Sequence, residues 1–135
     1  MPTFTIGEIH PFATKLENFV SNPQLRTMMM NCQGEEGQHF FDKLEEYADR
    51  VTNMHKSYEQ DGKGKDAIVH LHYFRNGMDW FITEKDAYDE QLQAFGYADL
   101  GMGGGEFGYI SIEELKANNI ELDLFWTPKP LKDCI

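Results

Sequence analysis

A glycine-rich segment between aromatic residues is the sequence feature that most constrains how this chain folds. Residues 95–109 read FGYADLGMGGGEFGY. Glycine adopts backbone conformations that other residues avoid, and the flanking aromatic residues favour strands. The segment therefore predicts two strands of one sheet joined by a wide turn, with Asp99 and Glu106 at its shoulders. The glycines of this loop are Gly101, Gly103, Gly104 and Gly105.

The loop also carries the letters of a dinucleotide-binding motif. Residues 103–108 read GGGEFG, which fits the pattern GxGxxG. In dinucleotide folds such glycines let a pyrophosphate approach the N-terminus of a helix. Here the strand-like pair Tyr109-Ile110 follows the motif, and Glu106 would repel a phosphate. We therefore interpret the glycines as hinge or bulge residues, and no cofactor is expected.

The N-terminal half has the periodicity of helices. Pro11 suits a first helical turn, which predicts a helix over residues 11–20. A second short helix is expected over residues 22–33. Between residues 38 and 58, apolar side chains recur every three or four positions with charged side chains between them, which predicts a long amphipathic helix.

The chain after the turn-forming run DGKGK has the pattern of a sheet. Apolar and polar side chains alternate over residues 66–74. Asn76-Gly77 follow, a pair typical of type I′ hairpin turns. A two-residue turn there places Tyr73 opposite Trp80. Ser111 is expected to cap a short helix. Further strands are expected at residues 94–98, 108–110 and 120–126.

Together these patterns predict one α+β domain over residues 1–135. Its helical half, residues 1–65, is expected to pack on a small, mainly antiparallel sheet formed by residues 66–135. Neither an apolar run long enough to span a membrane nor a secretory signal is apparent, so a cytoplasmic location is expected. Cys32 and Cys134 have no ligand or disulfide spacing.

The acidic residues are concentrated in the C-terminal half. The net charge is −11, and residues 66–135 contain 13 acids and 5 bases. Binding to nucleic acid depends on lysine and arginine, so this composition argues against a direct nucleic-acid partner. The acidic half predicts either a solubilising surface or a face for a basic protein. The candidate binding residues are Glu84, Asp86, Asp89, Glu90, Asp99 and Glu106.

Two histidines give an alternative candidate site. His70 and His72 are two positions apart on a predicted strand and therefore share a face. If Asp99 and Glu106 lay beside them, the four side chains would form a metal or acid–base centre. Two half-buried imidazoles without a metal are the more usual outcome of this spacing, and no metal is expected.

Several short motifs follow one another between residues 80 and 131. They are Thr83-Glu84, Phe95-Gly96, the segment 99–103, Glu106, Gly108-Tyr109, Ser111, Glu114-Leu115 and Asp123-Leu124. In this order they resemble an uncharacterised family, domain of unknown function 2958. Gly104 and Gly105 stand where family members tend to have proline or a larger residue, and the first 65 residues have no counterpart. The resemblance implies a small α+β domain of plasmids, phages and other mobile elements, without an established activity.

Two functions of different class follow from these observations. The favoured one is a non-catalytic accessory protein of a mobile element, which inhibits a host protein, such as a defence nuclease, through an acidic surface. The alternative is a small enzyme or ligand-binding domain with its site at the glycine-rich loop. Self-association as a homodimer through aromatic or methionine-rich surfaces stays open.

Overall fold

The computed structural model describes residues 3–88 and 91–135. Within them, none of the helices is long and apolar enough to cross a membrane. The α-helices are α1 (Ile6–Leu16), α2 (Asn22–Asn31), α3 (Gly37–Asn53) and α4 (Ile112–Ala117). The strands are β1 (Ile68–Val69), β2 (Leu71–Arg75), β3 (Met78–Glu84), β4 (Ala94–Asp99), β5 (Glu106–Ile110), β6 (Glu121–Leu122) and β7 (Lys129–Pro130).

The predicted α+β class is confirmed, with the longer helices first and antiparallel strands after them. Five strands form one sheet in the order β5-β4-β3-β2-β6, and β1 pairs with β7 in a separate two-stranded sheet. Every pair of neighbouring strands is antiparallel. The glycine-rich loop joins β4 to β5, as its composition predicts.

The hairpin between β2 and β3 has the predicted turn and register. Asn76 has φ 45° and Gly77 has φ 84°, both in the left-handed region that a type I′ turn requires. Tyr73 lies opposite Trp80, and the neighbouring pairs continue in the same register. The pair Asn76-Gly77 is sufficient to predict the register, because the type of turn fixes the pairing of the strands that it joins.

The first three helices pack on one face of the large sheet. Leu71, Tyr73 and Ile82 point from the strands into a single buried core that also contains side chains of α1, α2 and α3. The hydroxyl of Tyr73 donates a hydrogen bond to the carbonyl of Phe19 at 2.5 Å. Burial raises the pKa of the Tyr73 phenol. This core therefore includes both the helical and the strand-rich half of the chain.

The second face of the sheet, opposite the helices, has a smaller core of its own. Phe81 packs there with Val69 and Leu131, beside Tyr97 and Trp126. The indole Nε1 of Trp126 donates to the carbonyl of Val69 at 3.0 Å. The short β1–β7 sheet thus covers part of the second face and leaves the part near β5 to other segments.

The predicted start of the first helix is wrong. Pro11 lies inside α1, because a capping box begins the helix earlier. The Oγ1 atom of Thr5 accepts from the backbone N–H of Glu8 at 3.2 Å, and Oε1 of Glu8 accepts from the N–H of Thr5 at 3.0 Å. These reciprocal bonds satisfy N–H groups that have no partner within the helix.

The predicted long helix exists but ends at Asn53 rather than near Tyr58. The Nζ atom of Lys85, which follows β3, donates to the carbonyl of Val51 at 2.6 Å and to that of Thr52 at 3.3 Å. An ammonium group at this end satisfies carbonyls of the last turn and complements the helix dipole. The helix therefore ends through a contact that is distant in sequence.

The strand predicted over residues 66–74 is divided at His70. Its first part, β1, pairs with β7, whereas β2 belongs to the large sheet. The backbone N–H of His70 donates to the carbonyl of Ile82 at 2.9 Å, so the chain stays next to β3 across the division.

The strand predicted over residues 120–126 is reduced to β6. Beyond it, the hydroxyl of Tyr47 in α3 donates to the carbonyl of Asp123 at 2.8 Å and accepts from the N–H of Trp126 at 3.1 Å. A side chain from the helical layer thus takes the backbone groups that further strand pairing would use.

The close approach of β3 and β4 gives a test of the fold. A Cβ on Gly96 would lie 1.9 Å from the carbonyl oxygen of Phe81, whereas a Cβ on its cross-strand neighbour Gly108 would meet nothing within 4 Å. We expect Gly96→Ala to lower the free energy of unfolding by at least about 2 kcal/mol, because the backbone must move. Urea unfolding measures this change.

Gly108→Ala is the matched control, since it makes the same chemical change on the adjacent strand. Its stability is expected to stay within about 0.5 kcal/mol of the original protein. Equal losses for the two variants would contradict a steric origin for the effect at Gly96.

Candidate functional site

The predicted acidic surface is not one exposed patch in the described structure. Glu84 is only 4% exposed and Asp86 is 6% exposed. Asp99 is half-buried, and Glu106 is exposed at the start of β5. Asp89 and Glu90 lie outside the described residues. The expectation that Glu84 and Asp86 lie on a solvated surface is wrong, because the chain folds over both carboxylates.

Asp86 has a structural role in the connection between β3 and β4. Its Oδ1 atom accepts from the N–H of Tyr88 at 2.9 Å, and its Oδ2 atom accepts from the N–H of Gln93 at 3.2 Å. The buried side chain of Gln91 in turn accepts from the N–H of Asp86 at 3.2 Å. These bonds use both carboxylate oxygens of Asp86 to organise its own loop.

The glycine-rich loop is a wide hairpin connection over residues 100–105, between β4 and β5. Gly101, Gly103 and Gly104 have φ values of 79°, 89° and 81°, which side-chain-bearing residues rarely adopt. The Oδ1 atom of Asp99 accepts from the N–H of Gly101 at 2.9 Å, and the N–H of Gly105 donates to the Tyr97 hydroxyl at 3.0 Å. The loop and Asp99 therefore shape the turn, as the hinge interpretation predicts.

His72 contacts two carboxylates other than the predicted ones. Its Nε2 atom lies 2.7 Å from Oδ1 of Asp79, and its Nδ1 atom lies 3.0 Å from Oδ2 of Asp123. The ring also packs on Phe81 and Trp126, with centroids 5.0 and 4.8 Å away. This arrangement ties the segment after β6 to the second face of the sheet.

His70 contacts a third histidine instead of sharing the site of His72. Its Nε2 atom lies 2.8 Å from Nδ1 of His55, which follows α3. In the described part of the chain, neither His70 nor His72 has a hydrogen bond to Asp99 or Glu106, and no group of three or more His, Cys, Asp or Glu side chains is arranged to hold a metal ion. The proposed four-residue centre therefore has no support in the geometry.

A pocket of about 360 Å³ lies on the second face of the sheet, close to β5. One wall is the segment from Ser57 to Ala67, and the floor comes from β3, β4 and β5. We call it the aromatic pocket, because four aromatic side chains line it. They are Tyr58, Phe95, Phe107 and Tyr109.

Gln60 attaches the pocket wall to the sheet. Its Nε2 atom donates to the carbonyls of Ile68 and Thr83 at 2.9 and 2.8 Å, and its Oε1 atom accepts from the N–H of Ile68 at 2.7 Å. The buried amide therefore uses both ends to hold the wall against β1 and β3. A buried polar group whose donor and acceptor atoms are all hydrogen-bonded has a fixed position.

The buried carboxylate of Glu84 lies in the aromatic pocket. Its Oε2 atom accepts from the Thr83 hydroxyl at 2.8 Å, and this is the hydrogen bond that the described residues provide to it. Asp61 lines the same pocket, and no lysine, arginine or histidine appears among its lining residues in the described chain. A carboxylate in such a pocket attracts a cation, because charge-assisted hydrogen bonds are stronger than those between neutral groups.

The pocket rim joins its wall to β5. The hydroxyls of Tyr58 and Tyr109 lie 2.8 Å apart. The pKa of Tyr109 is raised, first by its hydrogen bond with Tyr58, then by the charge of Tyr58, by burial and, last, by the charge of Glu84. Glu84 and the Tyr109 of the rim thus line the same pocket.

The arrangement suits binding of a cation. A positive group in the aromatic pocket would lie beside the Glu84 carboxylate and close to aromatic rings, which attract cations over their faces. Among the candidate acids, sequence reasoning identified Glu84 but placed it on a surface. It missed Tyr58, Gln60 and Asp61, since nothing local in residues 57–67 signals that this polar segment covers a sheet.

The histidine pair predicts a specific pH dependence of stability. Burial, followed by the charges of His55 and Arg50, lowers the pKa of His70 from 6.5 to about 4. At a pH between the two pKa values, His70 binds a proton in the unfolded chain but not in the folded chain. The free energy of unfolding is therefore expected to fall as the pH drops from 6.5 towards 4.

His70→Gln removes the imidazole that binds this proton and keeps a side chain that can form a hydrogen bond with His55. The free energy of unfolding of the variant, measured in urea at a series of pH values, is expected to depend less steeply on pH by up to about one bound proton. Measurements above pH 7 give the baseline difference between the two proteins. Identical slopes below pH 6.5 would contradict the assignment.

Comparison with known proteins identifies a family. The family described as protein of unknown function (DUF2958) matches residues 43–127, from within α3 to the segment after β6. The match covers more than half of the 135 residues and begins earlier than the sequence resemblance suggested. Neither the curated proteins nor the solved structures gave a match. The chain belongs to the DUF2958 family.

Proposed function

We propose that this protein is a non-catalytic binding protein that holds a cationic group in the aromatic pocket. The observation that carries the proposal is Glu84, a carboxylate that is 4% exposed and receives one hydroxyl hydrogen bond from the described residues. A cationic ligand would pair with this carboxylate, because no lysine, arginine or histidine is among the described residues that line the pocket. Four aromatic side chains around the same space add cation–π attraction.

The dimensions favour the end of a side chain or a small organic cation. A volume of about 360 Å³ is at the lower end of the range for ligand sites. Arginine is a good candidate because its guanidinium group binds carboxylates through two hydrogen bonds and stacks on aromatic rings. The net charge of −11 would favour encounter with a basic protein.

The biological setting is part of the same proposal. The partner would be a basic host protein, such as a defence nuclease, and the chain would act in the cytoplasm as an inhibitory accessory protein of a mobile element. The charge and the family resemblance support this setting. In place of a broad acidic surface, binding would centre on one buried carboxylate.

A ligand-binding domain for a free organic cation is the second candidate. It is supported by the position of the aromatic pocket beside Phe107 and Tyr109, which follow the glycine-rich loop. Both candidates use the same chemistry in the pocket. They differ in whether the cation belongs to a polypeptide.

Titration with capped arginine amide, followed by protein NMR, tests the cation site. We expect chemical-shift changes around the aromatic pocket, and at least about tenfold weaker binding of capped citrulline amide, which has a similar shape and no charge. Glu84→Gln should weaken arginine binding by a similar factor, because it removes the charge and retains the shape.

Glu45→Gln is the matched control, since Glu45 is exposed on α3 and does not line the pocket. It should leave arginine binding unchanged, apart from a small effect of net charge that added salt screens. Equal affinities for arginine and citrulline, or equal losses in the two variants, would reject the proposed site.

A further inference from the structure

β5 is an open edge of the large sheet. Among the described strands only β4 pairs with it, so one side of its backbone has N–H and C=O groups without a strand partner. Such an edge is a template on which another extended chain can add. β6 forms the opposite edge but consists of only Glu121–Leu122.

Several of the usual protections of an exposed edge are missing from β5. Its sequence, EFGYI, contains no proline and no lysine, and it pairs with β4 over five consecutive positions without a bulge. Its two aromatic side chains also stay accessible, with Phe107 43% and Tyr109 58% exposed. A regular, accessible edge of this kind favours pairing with a further strand.

A groove of about 450 Å³ follows this edge. All five residues of β5 line it, which places the groove along the whole strand. Leu100 and Met102 of the glycine-rich loop form part of its border. The groove therefore offers both backbone groups and apolar contacts to an extended segment.

The edge groove and the aromatic pocket share two side chains. Phe107 and Tyr109 line both. Side chains of adjacent strands on the same face lie about 5 Å apart, so a residue added beside Tyr109 would be next to the pocket rim. A long cationic side chain at that position could extend over Tyr109 towards Glu84.

We infer that β5 binds an extended basic segment of a partner protein, which adds a strand to the sheet and places one arginine or lysine in the aromatic pocket. This inference rests on the proposed function and specifies its partner. Charge complementarity selects the occupant, because Glu106 begins the strand, Glu84 lies in the pocket and the chain has a net charge of −11. That net charge also opposes pairing with a second copy.

The test compares binding of capped arginine amide with binding of a capped peptide of alternating threonine and valine around one arginine. The backbone bonds of an added strand should make the peptide bind at least about tenfold tighter than the amide. Two further versions carry N-methyl groups on one or the other alternate set of residues. The affinity of one of these versions should fall to that of the amide, because only one row of peptide N–H groups can face β5.

Hydrogen exchange locates the contact on the protein. The peptide should slow exchange of amides in β5 and leave the amides of β6, the other edge, unchanged. Equal affinities of the peptide and the amide would overturn strand addition but leave the cation site intact. Absence of binding by both would reject the proposed function itself.

Two other outcomes would also overturn the inference. Equal binding of both methylated versions and the unmodified peptide would mean that backbone pairing does not contribute. Sedimentation of the free protein as a dimer whose β5 amides are already protected would mean that a second copy occupies the edge.

Discussion

The contact of the Lys85 ammonium group with the last turn of α3 connects the two layers of this protein at the point where the helix ends. It joins the end of a central strand to the end of the longest helix, through the carbonyls of Val51 and Thr52. The helix ends there, and the chain continues to the other face of the sheet. The segment from Ser57 to Ala67 then becomes a wall of the aromatic pocket. The position of the candidate site thus depends on where one helix stops.

The features that could be predicted are those whose cause is local. Asn76 and Gly77 specify their turn by backbone conformation, and the turn specifies the register of β2 and β3. Ser111 caps α4 for a similar reason, because its hydroxyl accepts from the N–H of Glu114 at 3.1 Å. The capping box of α1 is equally local, because Thr5 and Glu8 are three residues apart, and it begins the helix before Pro11.

The features that could not be predicted depend on contacts between distant segments. The polar residues around Glu84 in the sequence predict an exposed side chain, but Glu84 is buried in the fold, where Gln60 attaches the segment from Ser57 to Ala67 to the sheet beside it. His70 and His72 share the expected spacing but have different partners. His70 contacts His55, whereas His72 contacts Asp79 and Asp123. Spacing along a strand specifies a shared face, but the partners on that face come from elsewhere in the chain.

The hydroxyl contact between Tyr58 and Tyr109 connects the wall of the pocket to the open edge of the sheet. Binding at the pocket that moves Tyr58 would therefore also change the position of Tyr109 at the sheet edge, and binding at the edge would act on the pocket in the same way. If a strand paired with β5 changes how tightly a cation is held, the cation must change the affinity for the strand by the same factor, since the two equilibria share one thermodynamic cycle. A pair of exposed phenols would then make the sheet edge and the pocket cooperative, and recognition would require a partner that satisfies both at once.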